Sequence, residues 1–548
     1  RIPDAASRKL FTMAPGDGGK ELKLVSNLTT VQKSALSTVS CSASLTGDAC
    51  ALARIDWLRG DRSKEDPAGP LRRRSKVHGD VISSSPYYVK STNTLYVGAN
   101  DGMLHAIDAA TGNELFGYVP SAVFSKLYKL TQPGYSHEYF VDGEIAVSTT
   151  FETPGKNILV GALGRGGKAL FALDVTDPTN FSASKVLWEF TDADLGLVLG
   201  KPLIAKLNNG KSAVIVGNGY NSNTERSMLF IIDVETGALI RKIDTQAGSS
   251  SASNGMATPR GWDADGNGTL DTLYAGDLLG NLWKFDVSSA STSSWLSAYS
   301  VSTVPAPMYV AMDASDKRQP ITGMIGLGMN GRRGDANFGK RYVFFGTGRY
   351  ITTSDVSDTS VQTWYGLIDE GEVISGRSAL RKRTIEIEAT VNGSATRAFS
   401  LASSGDMVGK KGWYVDLVSP TSGALGERMI GENKFFGTVL LAASMTPSAD
   451  VCVPGGTGWL NAIDPFSGAS LQNLFFDVNN DLQFNINDRI GDDKRPIGSI
   501  DPGINLPSDP IIIGNRACTS GTSGGIKCLS INNPIRSGRI SWREVVSK

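Results

Sequence analysis

An alternating pattern of apolar and polar positions recurs along the chain, and each copy ends at an aspartate that a turn follows. The clearest copy, LYVGANDGMLHAIDAATGNELFGYVP, alternates through strand-like runs, reaches Asp108 and continues through a Thr-Gly turn. Further copies end at Asp174, Asp233, Asp286, Asp369, Asp416 and Asp464. Such alternation is typical of half-buried strands. Aspartate favours the turn because its carboxylate accepts hydrogen bonds from backbone N–H groups.

Seven copies of this unit predict a β-propeller, since each blade of a propeller is a four-stranded sheet. An array of β-sandwiches would not repeat one unit of strand, aspartate and turn. The spacing between copies is irregular, which indicates insertions between strands. We therefore predict an all-β fold, a modified seven-bladed β-propeller, over residues 76–548.

Residues 1–75 follow a different pattern. Apolar residues at helical spacing over residues 31–36 and 49–58 predict two short helices. Residues 65–74 have the composition of a loop. This stretch is predicted to be a short, partly helical N-terminal arm.

The stretch DADGNGTLD predicts a calcium site. Oxygen-bearing residues stand at alternate positions, namely Asp263, Asp265, Asn267, Thr269 and Asp271. These match positions 1, 3, 5, 7 and 9 of an EF-hand loop, where the residue at position 7 offers its main-chain carbonyl. Tyr274 stands where the usual glutamate would be, and the flanking sequence alternates like strands. We predict a calcium loop inserted between strands; the alternative is an acidic surface turn.

A second acidic loop, DVNNDLQFNIND, resembles the first in its spacing. Its candidate ligands at positions 1, 3, 5, 9 and 12 are Asp477, Asn479, Asp481, Asn485 and Asp488. Position 6 is Leu482, where a sharp turn favours glycine. A second calcium site and a simple turn both remain open here.

The five cysteines predict two short-range disulfides. Cys41 lies close to Cys50 in sequence and Cys518 lies close to Cys528, which leaves Cys452 unpaired. There is no C-x-x-C motif of a zinc ribbon. Short-range pairs favour an oxidising compartment, although a reduced cytosolic protein could also carry five cysteines.

Charge and hydropathy exclude some classes of partner. The formal net charge is zero, so no long-range field draws the chain to nucleic acid or to an anionic membrane. No apolar run approaches the roughly 20 residues of a membrane span. The first residues lack the apolar core of a signal peptide, and we expect an export signal to lie upstream in a longer protein.

Two RGD tripeptides are candidate adhesion motifs if they lie in exposed loops. They are Arg59-Gly60-Asp61 and Arg333-Gly334-Asp335. The second lies in MNGRRGDANFG, which has the composition of an exposed turn, whereas a structural role is expected for the first.

Longer strings resemble a known family. The repeat is similar to the quinoprotein propeller motif A-x-D-x-x-T-G-x-x-L-W. The strings WLRGDR, GDVISSSPYYV, LYVGANDGMLHAIDAATG, ALDVTDP and YAGDLLGNLWKFD together resemble the C-terminal domain of the PilC/PilY family of type IV pilus assembly and tip-adhesin proteins. The resemblance covers nearly the whole chain from Trp57 onward.

This resemblance implies a modified seven-bladed propeller with Ca²⁺ in the loop of residues 263–271. It implies a protein exported through the periplasm to the pilus tip or outer cell surface, with pilins or minor pilins as partners. It also implies that calcium occupancy is linked to pilus extension and retraction, and that the protein contributes to twitching motility and to binding of host-cell receptors.

The chain carries little sign of enzymatic chemistry. Quinone-dependent dehydrogenases share the propeller repeat, but they often hold their cofactor over a disulfide between adjacent cysteines, and no cysteines are adjacent here. The three histidines, His78, His105 and His137, are too scattered to predict a transition-metal site from spacing. We predict a non-enzymatic, calcium-responsive pilus module; the alternatives are a quinone-dependent periplasmic dehydrogenase and a purely structural propeller.

Overall fold

The computed structural model describes residues 1–436, 438–448 and 455–534, and strands dominate this part of the chain. It divides into two compact units. Unit 1 comprises Arg1–Asp277 and Lys284–Ala306. Unit 2 comprises Leu278–Trp283 and the described residues from Pro307 onward.

Unit 1 contains three α-helices, α1 (Thr30–Ser37), α2 (Gly47–Arg59) and α3 (Phe124–Leu130). The first two confirm the helices predicted near the N-terminus. The Thr29 hydroxyl accepts from the Gln32 N–H at the start of α1, and the Gln32 side chain accepts from the Thr29 N–H in return. Helix α2 ends at Arg59, and the following Gly60 has a φ of 112°, in the left-handed region that glycine tolerates.

The strands of unit 1 are short and closely spaced. They are β1 (Leu10–Ala14), β2 (Gly18–Glu21), β3 (Tyr87–Val89), β4 (Thr94–Gly98), β5 (Leu104–Asp108), β6 (Glu114–Val119), β7 (Ile145–Val147), β8 (Ile158–Ala162), β9 (Leu170–Asp174), β10 (Val186–Phe190), β11 (Leu203–Lys206), β12 (Ser212–Gly217), β13 (Arg226–Asp233), β14 (Leu239–Gly248), β15 (Arg260–Trp262), β16 (Thr272–Gly276), β17 (Asn281–Asp286), β18 (Leu296–Ser297), β19 (Tyr299–Val301) and β20 (Val304–Ala306). The boundary between the units falls inside β17.

These strands form successive sheets, as a propeller repeat predicts. Their orders are β2-β1-β6-β5-β4-β3, β10-β9-β8-β7, β11-β12-β13-β14 and β15-β16-β17-β18, with β19-β20 as a separate hairpin. Neighbouring strands of the four-stranded sheets β7–β10 and β11–β14 pair antiparallel. Strand β1 of the N-terminal segment joins the first sheet by pairing parallel to β6.

Unit 2 continues with sheets that are less regular. Its strands are β21 (Tyr309–Val310), β22 (Gly326–Met329), β23 (Arg341–Gly346), β24 (Thr363–Asp369), β25 (Arg381–Arg383), β26 (Ile385–Val391), β27 (Ser394–Phe399), β28 (Gly412–Asp416), β29 (Lys434–Phe436), β30 (Val439–Ser448), β31 (Gly455–Ile463), β32 (Arg489–Ile490), β33 (Arg495–Pro496), β34 (Ser499–Ile500), β35 (Ile511–Ile513), β36 (Arg516–Ser520) and β37 (Ile526–Ser530).

The sheet orders of unit 2 are β22-β23-β24-β28-β25, β26-β27-β34-β31-β30-β29, β32-β33 and β35-β36-β37. Buried aromatic side chains fill this unit, and the Trp364 and Trp413 rings meet edge to face with centroids 6.0 Å apart. Both indole N–H groups are satisfied, since Trp364 donates to Asn433 and Trp413 donates to the Pro465 carbonyl. The all-β prediction is confirmed; the number of seven blades stays a prediction.

The repeated aspartates act as the sequence predicts at most copies of the unit. Asp108 accepts from the N–H groups of Ala110 and Thr111 at 2.8 and 3.0 Å. The same hydrogen bonding to the following turn occurs at Asp174, Asp233, Asp286, Asp369 and Asp464. The prediction is wrong for Asp416, whose carboxylate instead accepts from the Thr363 hydroxyl and the Arg377 guanidinium.

Candidate metal centre

The first acidic loop connects two paired strands of unit 1. Strands β15 and β16 pair antiparallel, with Trp262 opposite Thr272, so residues 263–271 form the whole connection. Gly266 and Gly268 have φ values of 77° and 89°, which glycine adopts without strain. The prediction that strands flank this loop is confirmed.

Three carboxylates converge in this loop. Oxygens of Asp263, Asp265 and Asp271 lie within 4.8 Å of one another. The Asn267 side chain lies beside them and donates to Asp265 at 3.0 Å. Its amide oxygen accepts from the N–H of Thr269 at 2.7 Å.

Backbone N–H groups orient the carboxylates. Asp263 accepts from Gly266 through Oδ1 at 2.7 Å and from Gly268 through Oδ2 at 2.8 Å. The hydrogen bond from the Gly268 N–H is the main reason why the pKa of Asp263 lies below its ordinary value. Asp271 accepts from the Ala264 N–H at 2.7 Å. The loop therefore holds its carboxylates in fixed directions.

Asn208 supports this loop from a distant turn, a contact that the sequence alone did not predict. Its Nδ2 donates to Oδ1 of Asp271 at 3.1 Å and to the Leu270 carbonyl at 3.0 Å. Its Oδ1 accepts from the Thr269 hydroxyl at 2.8 Å. The turn that carries Asn208 connects β11 and β12. No local motif links the Asn-Asn-Gly turn to a loop so far along the chain.

The donor set of the loop fits Ca²⁺. Carboxylate, amide and main-chain carbonyl oxygens are hard ligands, which calcium takes in groups of about 6–8 from flexible loops. The sequence between Asp263 and Asp271 contains no histidine or cysteine, which would favour zinc or copper. The clustering of three negative charges also favours a divalent cation at this position.

The second acidic loop is organised differently. Asp488 is fully buried, and its two oxygens accept from the N–H groups of Val478 and Asn485 at 2.8 and 3.0 Å. Asp477 accepts from the N–H groups of Asp481 and Leu482. Within the described residues, the carboxylates of this loop are not among the groups that converge within 4.8 Å. Calcium binding here stays a prediction.

The two RGD tripeptides lie in different surroundings. Arg59 is the last residue of α2, is buried, and donates to the Ala5 carbonyl at 2.7 Å. The first tripeptide is therefore part of the framework. Arg333 and Gly334 are exposed, and Asp335 is half-buried and accepts from the Asn337 N–H at 2.8 Å. The second tripeptide lies in an exposed turn.

Two disulfide bonds occur in the described part of the chain. Disulfide bonds join Cys41 to Cys50 and Cys518 to Cys528. Cys452 lies outside the described residues. No helix in the described part of the chain combines the length and the apolar character that crossing a membrane requires.

Comparison with known proteins identifies the family. The family model described as the PilY1 beta-propeller domain matches residues 81–392. A type IV pilus biogenesis factor PilY1 homolog of Xylella fastidiosa is 38% identical over 90% of this chain and 41% of its own length. The type IV pilus biogenesis factor PilY1 of Pseudomonas aeruginosa strain PAK is 35% identical over 90% of this chain and 47% of its own length.

A solved structure agrees with these matches. The crystal structure of the Pseudomonas aeruginosa PilY1 C-terminal domain matches with a TM-score of 0.67 and 31% identity. The match covers 81% of this chain and 93% of that domain. The chain spans less than half the length of the two curated relatives. It belongs to the PilY1 β-propeller family.

Proposed function

We propose that this chain is a calcium-binding module of a type IV pilus biogenesis factor and that calcium occupancy of the loop between β15 and β16 regulates pilus extension and retraction. The convergence of the carboxylates of Asp263, Asp265 and Asp271 within 4.8 Å supports the calcium part of the proposal. Membership of the family supports the pilus part.

Five residues of the loop would supply the ligand oxygens for the ion. The side chains of Asp263, Asp265, Asn267 and Asp271 and the main-chain carbonyl of Thr269 supply the oxygens. A bound Ca²⁺ offsets two of the three negative charges that the carboxylates bring together. Asn208 holds Asp271 and the Thr269 hydroxyl in place from the β11–β12 turn.

Regulation requires that a partner distinguish the filled loop from the empty one, because a ligand shifts an equilibrium only through different affinities for its two states. The empty loop contains three mutually repelling carboxylates and is expected to open. The filled loop is compact and keeps only one of the three negative charges uncompensated. A pilin or minor pilin that contacts this loop would bind the two forms with different affinity, and this contact would govern twitching motility.

The same proposal also predicts the compartment in which this chain acts. A regulator of pili acts outside the cytoplasm, at the pilus tip or outer cell surface, after passage through the periplasm. The disulfides Cys41–Cys50 and Cys518–Cys528 support this location, because such bonds persist in oxidising compartments.

Adhesion to host-cell receptors is a second candidate function. The exposure of Arg333 and Gly334 supports it, since receptor binding through RGD needs an accessible loop. Asp335→Glu keeps the charge but lengthens the side chain, and should reduce attachment of host cells to surfaces coated with the protein. Asp61→Glu, in the framework tripeptide, serves as the matched variant that should leave attachment unchanged.

Titration calorimetry with Ca²⁺ tests the metal site. The parent chain should bind at the first loop, and Asp271→Ala should weaken that binding by more than about threefold, because it removes a charged ligand. Asp17→Ala, at an exposed residue of the turn between β1 and β2, is the matched control and should bind like the parent. An Asp271→Ala affinity within threefold of the parent overturns the assignment.

A quinone-dependent dehydrogenase is the rival function. Incubation with quinone and calcium, followed by a visible absorbance scan, separates the two proposals. The calcium-regulated pilus module predicts no retained quinone absorbance after gel filtration, whereas the dehydrogenase predicts a stoichiometric bound chromophore.

A further inference from the structure

A second convergence of ligating side chains lies in unit 1, apart from the acidic loop. His78 precedes β3, Asp101 lies in the turn between β4 and β5, and His105 lies in β5. One ligand atom from each of these residues lies within 4.8 Å of the others. Asp101 and His105 are buried, whereas His78 is half-buried and reaches the surface. The cluster is therefore enclosed on one side and open at His78.

The imidazole of His105 is held between two carboxylates. Its Nδ1 lies 3.1 Å from Oε2 of Glu114, and its Nε2 lies 3.1 and 3.2 Å from the two oxygens of Asp101. Arg8 donates to both oxygens of Glu114 at 2.8 and 2.9 Å and keeps that carboxylate ionised. An ionised carboxylate only accepts hydrogen bonds, so Nδ1 of His105 carries a proton.

This arrangement matches the surroundings of metal-binding histidines. A ligating histidine commonly donates its other ring N–H to a carboxylate, which fixes the tautomer and the direction of the ring. Glu114 occupies that position, and Arg8 anchors Glu114 in turn. Nε2 of His105 is then directed towards Asp101.

The distances between His105 and Asp101 also suit shared ligation. Nε2 of His105 lies 3.1 and 3.2 Å from the two oxygens of Asp101 and so faces both of them. Two ligand atoms bound to one tetrahedral zinc ion at about 2.0–2.1 Å stand about 3.3–3.4 Å apart.

His78 completes the set. Its Nδ1 lies 2.5 Å from the Gly79 carbonyl oxygen, which only accepts, so Nδ1 donates and Nε2 keeps its lone pair. Its ring stacks on that of His105 with centroids 4.2 Å apart. Because a metal ion binds in the plane of an imidazole ring, the half-exposed His78 ring must turn from this position to share an ion with His105. The N–H of Gly79 donates to Asp101 at 2.9 Å, which ties the segment of His78 to the third ligand.

We propose that His78, Asp101 and His105 bind a first-row transition-metal ion of the zinc class, with Glu114 and Arg8 as positioning residues. Two imidazoles and one carboxylate select zinc-class ions over calcium, since calcium takes oxygen ligands. The three residues leave one position of a tetrahedral ion for water on the open side at His78. The ion would tie the loop before β3 to strand β5.

The test uses the full chain without a polyhistidine tag, in excess Ca²⁺ so that the acidic loop is saturated. Zn²⁺ is titrated in competition with a chromophoric chelator, and Co²⁺ is titrated separately because nitrogen and oxygen ligands give it visible absorption bands. The parent should bind one equivalent of Zn²⁺ and develop the Co²⁺ spectrum.

His78→Ala removes the half-exposed ligand and should weaken Zn²⁺ binding at least tenfold and abolish the Co²⁺ bands. His137→Ala is the matched control, because His137 is the remaining histidine and forms an exposed pair with Asp80; it should bind like the parent. Circular dichroism checks that both variants fold. Equal binding by the parent and His78→Ala, or no binding by the parent, overturns the proposal and leaves a buried ion pair of His105 with Asp101 and Glu114.

Discussion

Asn208 donates through Nδ2 to the Oδ1 carboxylate oxygen of Asp271 at 3.1 Å, across 63 residues of sequence. Removal of this hydrogen bond should let Asp271 turn away from the other carboxylates of its loop. We expect Asn208→Ala to weaken calcium binding by about fivefold, since a hydrogen bond of this kind contributes about 1 kcal/mol.

Titration calorimetry with Ca²⁺ measures this effect. Asn209→Ala changes the adjacent half-buried residue of the same turn, whose side chain accepts from the Lys211 N–H at 3.1 Å, and provides the control, with an affinity close to that of the parent. An Asn208→Ala affinity within about twofold of the parent would show that the loop orients Asp271 without help from the β11–β12 turn.

Asp271 also allows a test in cells that carry the full-length protein. We propose that the calcium-filled loop is the form that opposes retraction, so Asp271→Ala should mimic the empty loop and reduce surface pili. Asp271→Lys places an ammonium group near the position of the ion's charge and should restore piliation at least in part. Sheared surface pilin and twitching zones measure both effects.

Export of each Asp271 variant must equal that of the parent, as measured in periplasmic and surface fractions. Normal piliation and motility of Asp271→Ala at equal export would reduce the calcium to a structural ion.

Chelation of calcium should lower the melting temperature without unfolding the chain. A ligand in hundredfold excess over its Kd adds about 2.7 kcal/mol to the free energy of unfolding. Strand pairing and the buried hydrophobic clusters of both units supply the rest of the stability. Circular dichroism should stay β-rich in chelator at room temperature; global unfolding there would contradict this.

The sequence predicted those features of the fold that depend on neighbouring residues. The carboxylates of Asp108 and Asp233 accept hydrogen bonds from backbone N–H groups of the turns that directly follow them. The loop of residues 263–271 supplies its own carboxylates, and strands on both sides follow from alternation. The disulfide pairs join cysteines separated by 9 and 10 residues. In each case the interacting groups lie within one supersecondary unit.

The features that the sequence did not predict depend on contacts between distant segments. Asn208 donates a hydrogen bond to Asp271, and Arg8 donates one to Glu114, which lies 106 residues away in sequence. His78 and His105 are separated in sequence by strands β3 and β4, so no ligand spacing relates them. Asp416 resembles the other repeat aspartates locally, but Thr363 on the paired strand provides its hydrogen bond.

The ion pair between Arg8 and Glu114 should contribute strongly to the stability of unit 1. Both side chains are almost completely buried, at 0% and 1% exposure. Arg8→Ala leaves the Glu114 charge buried without this partner, which typically costs about 3–5 kcal/mol. Urea unfolding in the presence of a chelator measures the change.

Lys156→Ala is the control for Arg8→Ala, because Lys156 pairs with Glu235 where the two side chains are 47% and 52% exposed. Its effect should stay below about 1 kcal/mol. Equal effects of the two variants would show that burial does not decide the contribution of the Arg8 pair.

Asp355 should make the stability of unit 2 depend on pH. Burial alone would raise the pKa of this carboxyl. The N–H groups of Thr352 and Ile351 and the guanidinium of Arg349 outweigh burial and lower the pKa below its ordinary value. A folded-state pKa below the unfolded value stabilises the fold above about pH 4, the ordinary range of an aspartate. This stabilisation is lost as the pH falls through the folded-state pKa.

Asp355→Asn should therefore lower the free energy of unfolding by about 1–3 kcal/mol at pH 7, where the N–H donors of this turn lose a charged acceptor. The difference from the parent should shrink steadily below about pH 4, because the parent carboxyl then becomes protonated as well. Urea unfolding at a series of pH values measures both curves.

Asp316→Asn, at an exposed residue of the same unit, is the control and should follow the parent at every pH. A difference between Asp355→Asn and the parent that stays constant down to pH 3 would show that the charge of Asp355 does not stabilise its turn.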